Sequence, residues 1–269
     1  MRKPCQPITT VKHPALIRAR SLQTPAGRAQ ARAFLIEGEA MLRQALQAGA
    51  AVADAFFLDG APVDDSLAAA LAAAQVPCYT VTRGLMTKIL GTGYDTSVVT
   101  TSVVPMRMTS AEAMAALGGP LLACERIQDP RNVGVLLRTA EASGALGMLL
   151  SGDSADPFSR AAVRSSTGSI LRLPLALSND FPADLKRLRD RGLRLIGASA
   201  HGAIPITRAD LDPRCVIIVG NEAAGISPAA RELADSVVAI PVGGGTSSFN
   251  VTVAAGILLY ECVRGAEEA

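Results

Sequence analysis

AIPVGGGTSSFNVTVAAGILLYE, residues Ala239 to Glu261, runs out of an apolar strand, through a glycine-rich turn and into a helix. Val237 to Ile240 are apolar, Pro241 ends ladder pairing because it has no N–H to donate, and Gly243, Gly244 and Gly245 admit conformations with φ > 0. Ser247 or Ser248 can cap the helix that follows. That helix carries Val251, Val253, Ala254, Ala255, Ile257, Leu258 and Leu259, apolar nearly all round, which predicts a buried element. A glycine-rich strand-to-helix turn offers its own amides to a ligand and suits a nucleotide-like one. The lysine of a Walker loop is missing, so a triphosphate is the wrong ligand. A tight turn before a core helix accounts for the same residues.

Upstream of this turn, Leu121 to Cys124, Gly147 to Ser151, Leu193 to Ala198, Cys215 to Gly220 and Val237 to Ile240 read as apolar strands separated by helical segments. Strands of this composition are buried on both faces, and βα alternation implies a parallel sheet. A doubly wound α/β fold is the default for this pattern, although no GxGxxG follows a strand. Before residue 105 the strands Ala33 to Glu37, Ala53 to Leu58, Pro77 to Val81 and Ser97 to Val104 alternate with Ala-rich helices at Glu39 to Ala48 and Asp64 to Ala74, and with a weaker one at Leu85 to Leu90. This predicts a small α/β domain over 1–104, a linker over 105–119 that either spans or carries a short helix, and a second domain over 120–269.

Two further segments join the opening one: DPRNVGVLLRTAEASGA from Asp129 to Ala145, and IVGNEAAGIS from Ile218 to Ser227. Asn132, Gly134, Arg138 and Gly144, then Gly220, Glu222 and Gly225, then Ile240, Pro241, Ser248, Asn250 and Val251 follow one family pattern in order. On these residues the chain resembles the SpoU branch of the SPOUT superfamily, RNA ribose 2'-O-methyltransferases that use S-adenosylmethionine. The resemblance implies a C-terminal trefoil knot on the parallel sheet, with the cofactor held in the knot loops, and a homodimer formed through the knotted domains. It implies cofactor contacts, largely through the backbone, from Ala198, Ser199, Gly220, Asn221, Ile240 and Phe249, the last standing where leucine is usual. More loosely, HPALIRARSL from His13 to Leu22 and FLIEGEAMLRQAL from Phe34 to Leu46 resemble the ribosomal-protein-like RNA-binding domain that precedes many such catalytic domains. The stretch GTGYDTSVVTTSVVP, ending at Pro105, departs from the family's glycine-rich approach to the linker.

The implied chemistry is an in-line displacement by a ribose 2'-hydroxyl on an activated methyl group, which requires no metal. The enzyme must align the reacting atoms and accommodate the hydroxyl proton. The family pattern marks Arg138 as catalytic, with Asn132, Glu222, Ser248 and Asn250 around it. Arg138 suits gripping the phosphate beside the target ribose through its planar donor fork. A role as proton acceptor would require deprotonating a guanidinium at neutral pH, at a cost of roughly 7 kcal/mol. A salt bridge to Glu141 or Glu222 is the purely structural alternative. Glu222 can fix the loop around the cofactor, pair with Arg138, or simply favour the dipole of a helix over Ser227 to Leu233.

Net charge is only +2, so total charge is no argument for nucleic acid, but its distribution is uneven. Met1 to Ile36 holds Arg2, Lys3, Lys12, Arg18, Arg20, Arg28 and Arg32 and no acidic residue, the composition of a phosphate-binding arm or of a solvated leader. Arg18, Arg20, Arg28 and Arg32 from this arm, with Arg160 and Arg164 from SRAAVRSSTGSILRLPL, are the candidate RNA contacts. The five cysteines are far apart with no CxxC pair, which argues against zinc or a disulfide framework, and Cys124, Cys215 and Cys262 read as small core residues. No apolar run reaches the roughly 18 residues of a membrane span, and no secretory signal opens the chain, so a cytoplasmic protein is expected. The expected activity is 2'-O-methylation of structured RNA, ribosomal RNA ahead of transfer RNA. The alternative class is a non-catalytic RNA-binding or ribosome-assembly protein on the same scaffold.

Overall fold

Leu121–Cys124 and Cys215–Val219, two apolar strands with every residue buried, lie side by side at the centre of a seven-stranded sheet. In the computed structural model, which describes residues 5–92 and 97–267, the chain divides into two compact units. One comprises Met1–Met106 with Phe158–Leu171, the other Arg107–Pro157 with Arg172–Ala269. Arg2 and Lys3 of the basic arm, and residues 93–96 of the departing stretch, lie outside the described residues.

The first unit runs β1 (Gln6–Ile8), α1 (Pro14–Ser21), α2 (Pro25–Ala31), β2 (Ala33–Glu37), α3 (Glu39–Gln47), β3 (Asp54–Leu58), α4 (Asp65–Ala73), β4 (Cys78–Val81), α5 (Arg83–Leu90) and β5 (Thr100–Pro105). Its helices α2 and α4 begin where short polar side chains satisfy first-turn amides: Thr24 Oγ1 accepts from Gly27 N–H and Asp64 Oδ1 from Leu67 N–H. The sheet order is β1-β4-β3-β5-β2, with β5 antiparallel to both neighbours. Leu16, Phe56, Met86 and Ile89 fill the core. The three-residue β1, interrupted by Pro7, carried too little pattern to be read from sequence.

The second unit runs α6 (Ala111–Ala115), β6 (Leu121–Cys124), α7 (Pro130–Ala142), β7 (Gly147–Ser151), β8 (Leu175–Ser178), α9 (Phe181–Asp190), β9 (Arg194–Ala198), β10 (Ile204–Pro205), β11 (Cys215–Val219), α10 (Pro228–Leu233), β12 (Ser236–Ala239) and α11 (Val251–Glu267), while α8 (Arg160–Ser165), between β7 and β8 along the chain, belongs to the first unit. The sheet order is β10-β12-β9-β11-β6-β7-β8 and its strand pairs are parallel. The expected parallel α/β fold is therefore present. Register places Val219 beside Cys124 and Ile218 beside Gly197, so the chain leaves β6, β9 and β11 at one edge of the sheet, where α/β folds bind ligands.

Three expectations need correction. Of the two readings of residues 105–119, the short helix is the one present, and the boundary moves back to Met106: α6 buries Ala111, Met114 and Ala115 in the core of the second unit. Residues 158–171 fall with the first unit, where Phe158 packs on Phe34 with ring centroids 5.2 Å apart. Finally, α11 is not buried all round. Val251, Ala255, Leu258, Leu259 and Cys262 face inward, whereas Val253 (46% exposed) and Tyr260 (61%) lie on an outer stripe. The unbroken apolar run concealed a two-faced helix.

Candidate active site

The loop after β6 leads into α7 at Asp129, whose Oδ1 accepts the Arg131 N–H at 2.8 Å, with Pro130 preset for the first helical turn. Hydrogen bonds from Arg131 hold the Asp129 carboxyl below its ordinary value. One turn in, Asn132 Nδ2 donates to Glu222 Oε1 at 2.8 Å. This bond ties the first motif to the second. Arg138 lies further along α7, exposed, with no hydrogen bond or ion pair to any described residue. Both carboxylates expected to pair with it are engaged elsewhere. Glu141 accepts from Arg172 Nε and Nη2 at 2.6 and 2.8 Å, and Glu222 is held by Asn132.

After β11 the chain folds tightly. A Cβ on Gly220 would stand 2.3 Å from the Gly225 carbonyl carbon, so only glycine fits. Asn221 Oδ1 accepts from the Ala223 and Ala224 N–H groups at 3.0 Å each, an Asx turn, and Gly225 closes the loop at φ +67°. After β12 comes the glycine-rich turn. The cap of α11 is Asn250, not Ser247 or Ser248: its Oδ1 accepts Thr252 N–H at 2.9 Å, and its carbonyl accepts the Val253 and Ala254 N–H groups.

Between these loops and the end of β9 lies a cavity of about 560 Å³. Ala198, Ser199, Gly220, Asn221, Ile240 and Phe249 all line it, as do Glu222, Ser248 and Asn250. Asn132 and Arg138 do not line it; Asn132 reaches its rim only through Glu222. His201 and Arg231 also line the cavity and were not singled out from sequence. Arg231 Nη2 donates to Ser199 Oγ at 3.2 Å. The signal for Arg231 was its place one turn into the helix that the second motif opens, at Ser227.

The expected RNA-contact arginines separate sharply. Arg28 is 6% exposed and its Nη1 donates to the carbonyls of Leu22 (2.9 Å) and Gln23 (3.2 Å), so it closes the turn after α1 and is not a surface contact. Arg18 donates through Nε and Nη2 to buried Asp54 at 2.8 and 2.6 Å. Burial pushes the Asp54 carboxyl above its ordinary value, with Arg18 opposing that shift. Arg160 is bound through Nε and Nη2 to Glu37, whose second oxygen lies 3.8 Å from Arg164. Arg160 is thus committed, while Arg164 stays largely exposed. Arg20 and Arg32 are exposed, and Arg20 lines a groove with Lys88 between α1 and α5.

A parallel sheet with a cavity at its strand ends, walled by glycine-rich and Asx-turn backbone, has the form of an α/β ligand-binding domain. Residues 120–260, more than half of the chain, match the SpoU rRNA Methylase family, and the protein belongs to it. Residues 5–115 match the family described as Thiostrepton-resistance methylase, N terminus. An uncharacterized tRNA/rRNA methyltransferase of Synechocystis is 34% identical over 96% of this chain and 93% of its own length. The 23S rRNA (guanosine(2553)-2'-O)-methyltransferase RlmP of Bacillus subtilis is 28% identical over 91% of this chain and 94% of its own length. The crystal structure of an AdoMet-bound rRNA methyltransferase from Sinorhizobium meliloti superposes with TM-score 0.86 at 27% identity, covering 97% of this chain and 98% of that one. Against some other curated relatives the chain spans about half their length, 49% in one case.

Proposed function

We propose that the protein transfers a methyl group from S-adenosylmethionine to the 2'-oxygen of a ribose in structured ribosomal RNA. The observation that carries this reading is the strand-end cavity in which the second and third motif loops meet the end of β9, joined to the first motif on α7 by the Asn132–Glu222 hydrogen bond. Its size lies within the roughly 300–1,000 Å³ of small-molecule sites. Its walls suit this cofactor: the glycine-only position at Gly220 brings backbone close to a ligand, and Ala198, Val219 and Ile240 offer apolar cover for an adenine. Arg231 is the only lysine or arginine among the lining residues and Glu222 supplies a carboxylate, a poor lining for a polyphosphate and a good one for a sulfonium zwitterion.

When bound, S-adenosylmethionine supplies a methyl group activated by positive sulfur. Arg138, without an acidic partner, offers its donor fork to the phosphate beside the target ribose and so orients the 2'-hydroxyl. It orients and does not accept the proton, which passes to solvent water as the oxygen takes the methyl group and the sulfur leaves as a neutral thioether, because a guanidinium gives up its own proton at neutral pH only at a cost of roughly 7 kcal/mol. Asn132 and Glu222 hold α7 and the cofactor loop in register, and Asn250 with Ser248 shapes the third wall. The first unit binds the RNA, with Arg20, Arg32 and Arg164 as the exposed cations among the candidates. The 2'-oxygen as acceptor and ribosomal RNA as substrate are supported by the Bacillus and Sinorhizobium relatives. The trefoil knot and cytoplasmic setting follow from the family reading. So does a homodimer, for which the outer stripe of α11 at Val253 and Tyr260, with Phe249 nearby in sequence, offers an apolar face.

The test incubates the protein with tritiated S-adenosylmethionine and total RNA from cells lacking it. Alkali-resistant label is expected in ribosomal RNA and is lost in Arg138→Ala. Label confined to transfer RNA would overturn the substrate, and alkali-labile label would overturn the 2'-oxygen as acceptor.

A further inference from the structure

Arg126, two residues beyond the end of β6, has φ +55°, a left-handed backbone that glycine adopts far more readily. Around this one residue the first two motif loops are laced together. Its N–H donates to Ser151 Oγ at 2.8 Å, its carbonyl accepts from Asn221 Nδ2 at 3.0 Å, and its Nη2 donates to the Gly225 carbonyl at 3.3 Å. The preceding Glu125, buried, accepts the Ser227 N–H at 2.7 Å, while its own N–H donates to the Val219 carbonyl at 2.9 Å. Residues 125 and 126 therefore grip the loop after β11 at its entry, its middle and its exit. Arg126 Nε is buried with no partner among the described residues, an unfavourable state for a charged donor. A strained backbone and an unsatisfied donor at one position are tolerated when the side chain is needed where it stands.

We propose that Arg126 is a positioning residue for the cofactor. Through the Gly225 carbonyl its guanidinium fixes the loop from Gly220 to Ser227, and with it the backbone of Gly220 and Asn221 that walls the cavity. The residue does not line the cavity itself, so it acts through the loop. The identity of the ligand rests on the function proposed above; the clamp on the loop does not.

Arg126→Gly is the informative variant, because it removes the guanidinium while relieving the backbone strain, and Arg126→Lys restores one donor. In the ligand-free protein, hydrogen exchange of amides 220–227 is expected to accelerate about tenfold in Arg126→Gly, with the rest of the sheet unchanged. Calorimetric titration with S-adenosylhomocysteine should show a Kd raised about tenfold. KM for S-adenosylmethionine should rise in parallel, kcat at saturation should change less than about threefold, and Arg126→Lys should recover part of the affinity. Unchanged loop exchange and unchanged Kd in Arg126→Gly would overturn the proposal, as would a fall in kcat at constant KM. If the wild-type protein binds no S-adenosylhomocysteine while exchange still accelerates in the variant, the cofactor reading fails and the clamp stands.

Discussion

Three arginines of the first unit and Arg138 of the second stand in opposite states. In the first, Arg28 is folded onto two main-chain carbonyls, Arg18 onto a buried aspartate and Arg160 onto Glu37. In the second, Arg138 stands exposed on α7, and none of its donors is engaged by a described residue. A guanidinium that has found internal acceptors holds a fold together; one whose candidate carboxylates are engaged elsewhere leaves its fork uncommitted to the fold. Density of positive charge along a stretch of chain therefore does not tell which cations are uncommitted to the fold, whereas the pairing of nearby acids does.

The contrast is broken or sharpened most strongly at Arg138. Arg138→Ala should lower methyl transfer at least about 10³-fold, equivalent to about 4 kcal/mol of barrier. Its stability to urea should change by less than about 0.5 kcal/mol, because an exposed residue without partners leaves nothing unpaired. Substantial residual transfer, or a large loss of stability, would place Arg138 with the structural arginines.

Arg18→Ala should do the reverse, destabilising the fold by about 3 kcal/mol, since it strands a buried carboxylate. Asp54→Asn should cost much less, because the side chain left behind, Arg18, is half-exposed and can turn to water. The pH dependence has a definite sign. Burial raises the Asp54 carboxyl, so the folded chain keeps that proton over a range in which the unfolded chain has lost it. Stability from this group is fully present below the ordinary carboxylate value and is lost as pH rises through the raised one. Without Arg18 the carboxyl rises further, and the deficit of Arg18→Ala should shrink as pH is lowered. Urea titrations of the full chain at neutral and mildly acidic pH would decide; a deficit independent of pH would exclude a stranded carboxylate.

Much of the second unit was legible because its signals are local. Leu121–Cys124 and Gly147–Ser151 are bounded apolar runs, and strand reading recovers them residue for residue. The cavity-lining residues follow motifs that sit on strand ends, so order along the chain carried over into proximity. What sequence could not supply were relations between distant residues: Asp54 waiting under Arg18, Glu37 under Arg160, or Arg231 facing Ser199. The stripe on α11 was hidden for a different reason. Val253 is as apolar as Val251, and only packing shows that one faces out.

Asn250 tests a case that belongs to both classes, since it caps α11 and also lines the cavity. Asn250→Ala should cost about 1 kcal/mol of stability as a lost N-cap. Asn250→Ser keeps an oxygen that can cap, so it should regain stability. If Asn250 also serves the reaction, transfer should stay low in Asn250→Ser while the urea midpoint returns. Recovery of both together would reduce Asn250 to a cap.

The smallest effect is expected at Arg32, which ends α2 in the left-handed conformation with φ +48°. Its side chain is exposed, so its stability cost is a backbone cost, about 1 kcal/mol relative to a glycine. Arg32→Gly should therefore stabilise the protein by up to about 1 kcal/mol, offset in part by the greater freedom of glycine in the unfolded chain. If Arg32 also reaches RNA phosphate, the same variant should bind RNA more weakly and with a shallower salt dependence, by about one counterion. A gain in stability with unchanged RNA binding would mark Arg32 as a strained cap and leave Arg20 as the leader's exposed candidate; a gain with weakened binding would show a cation kept at the cost of its own backbone.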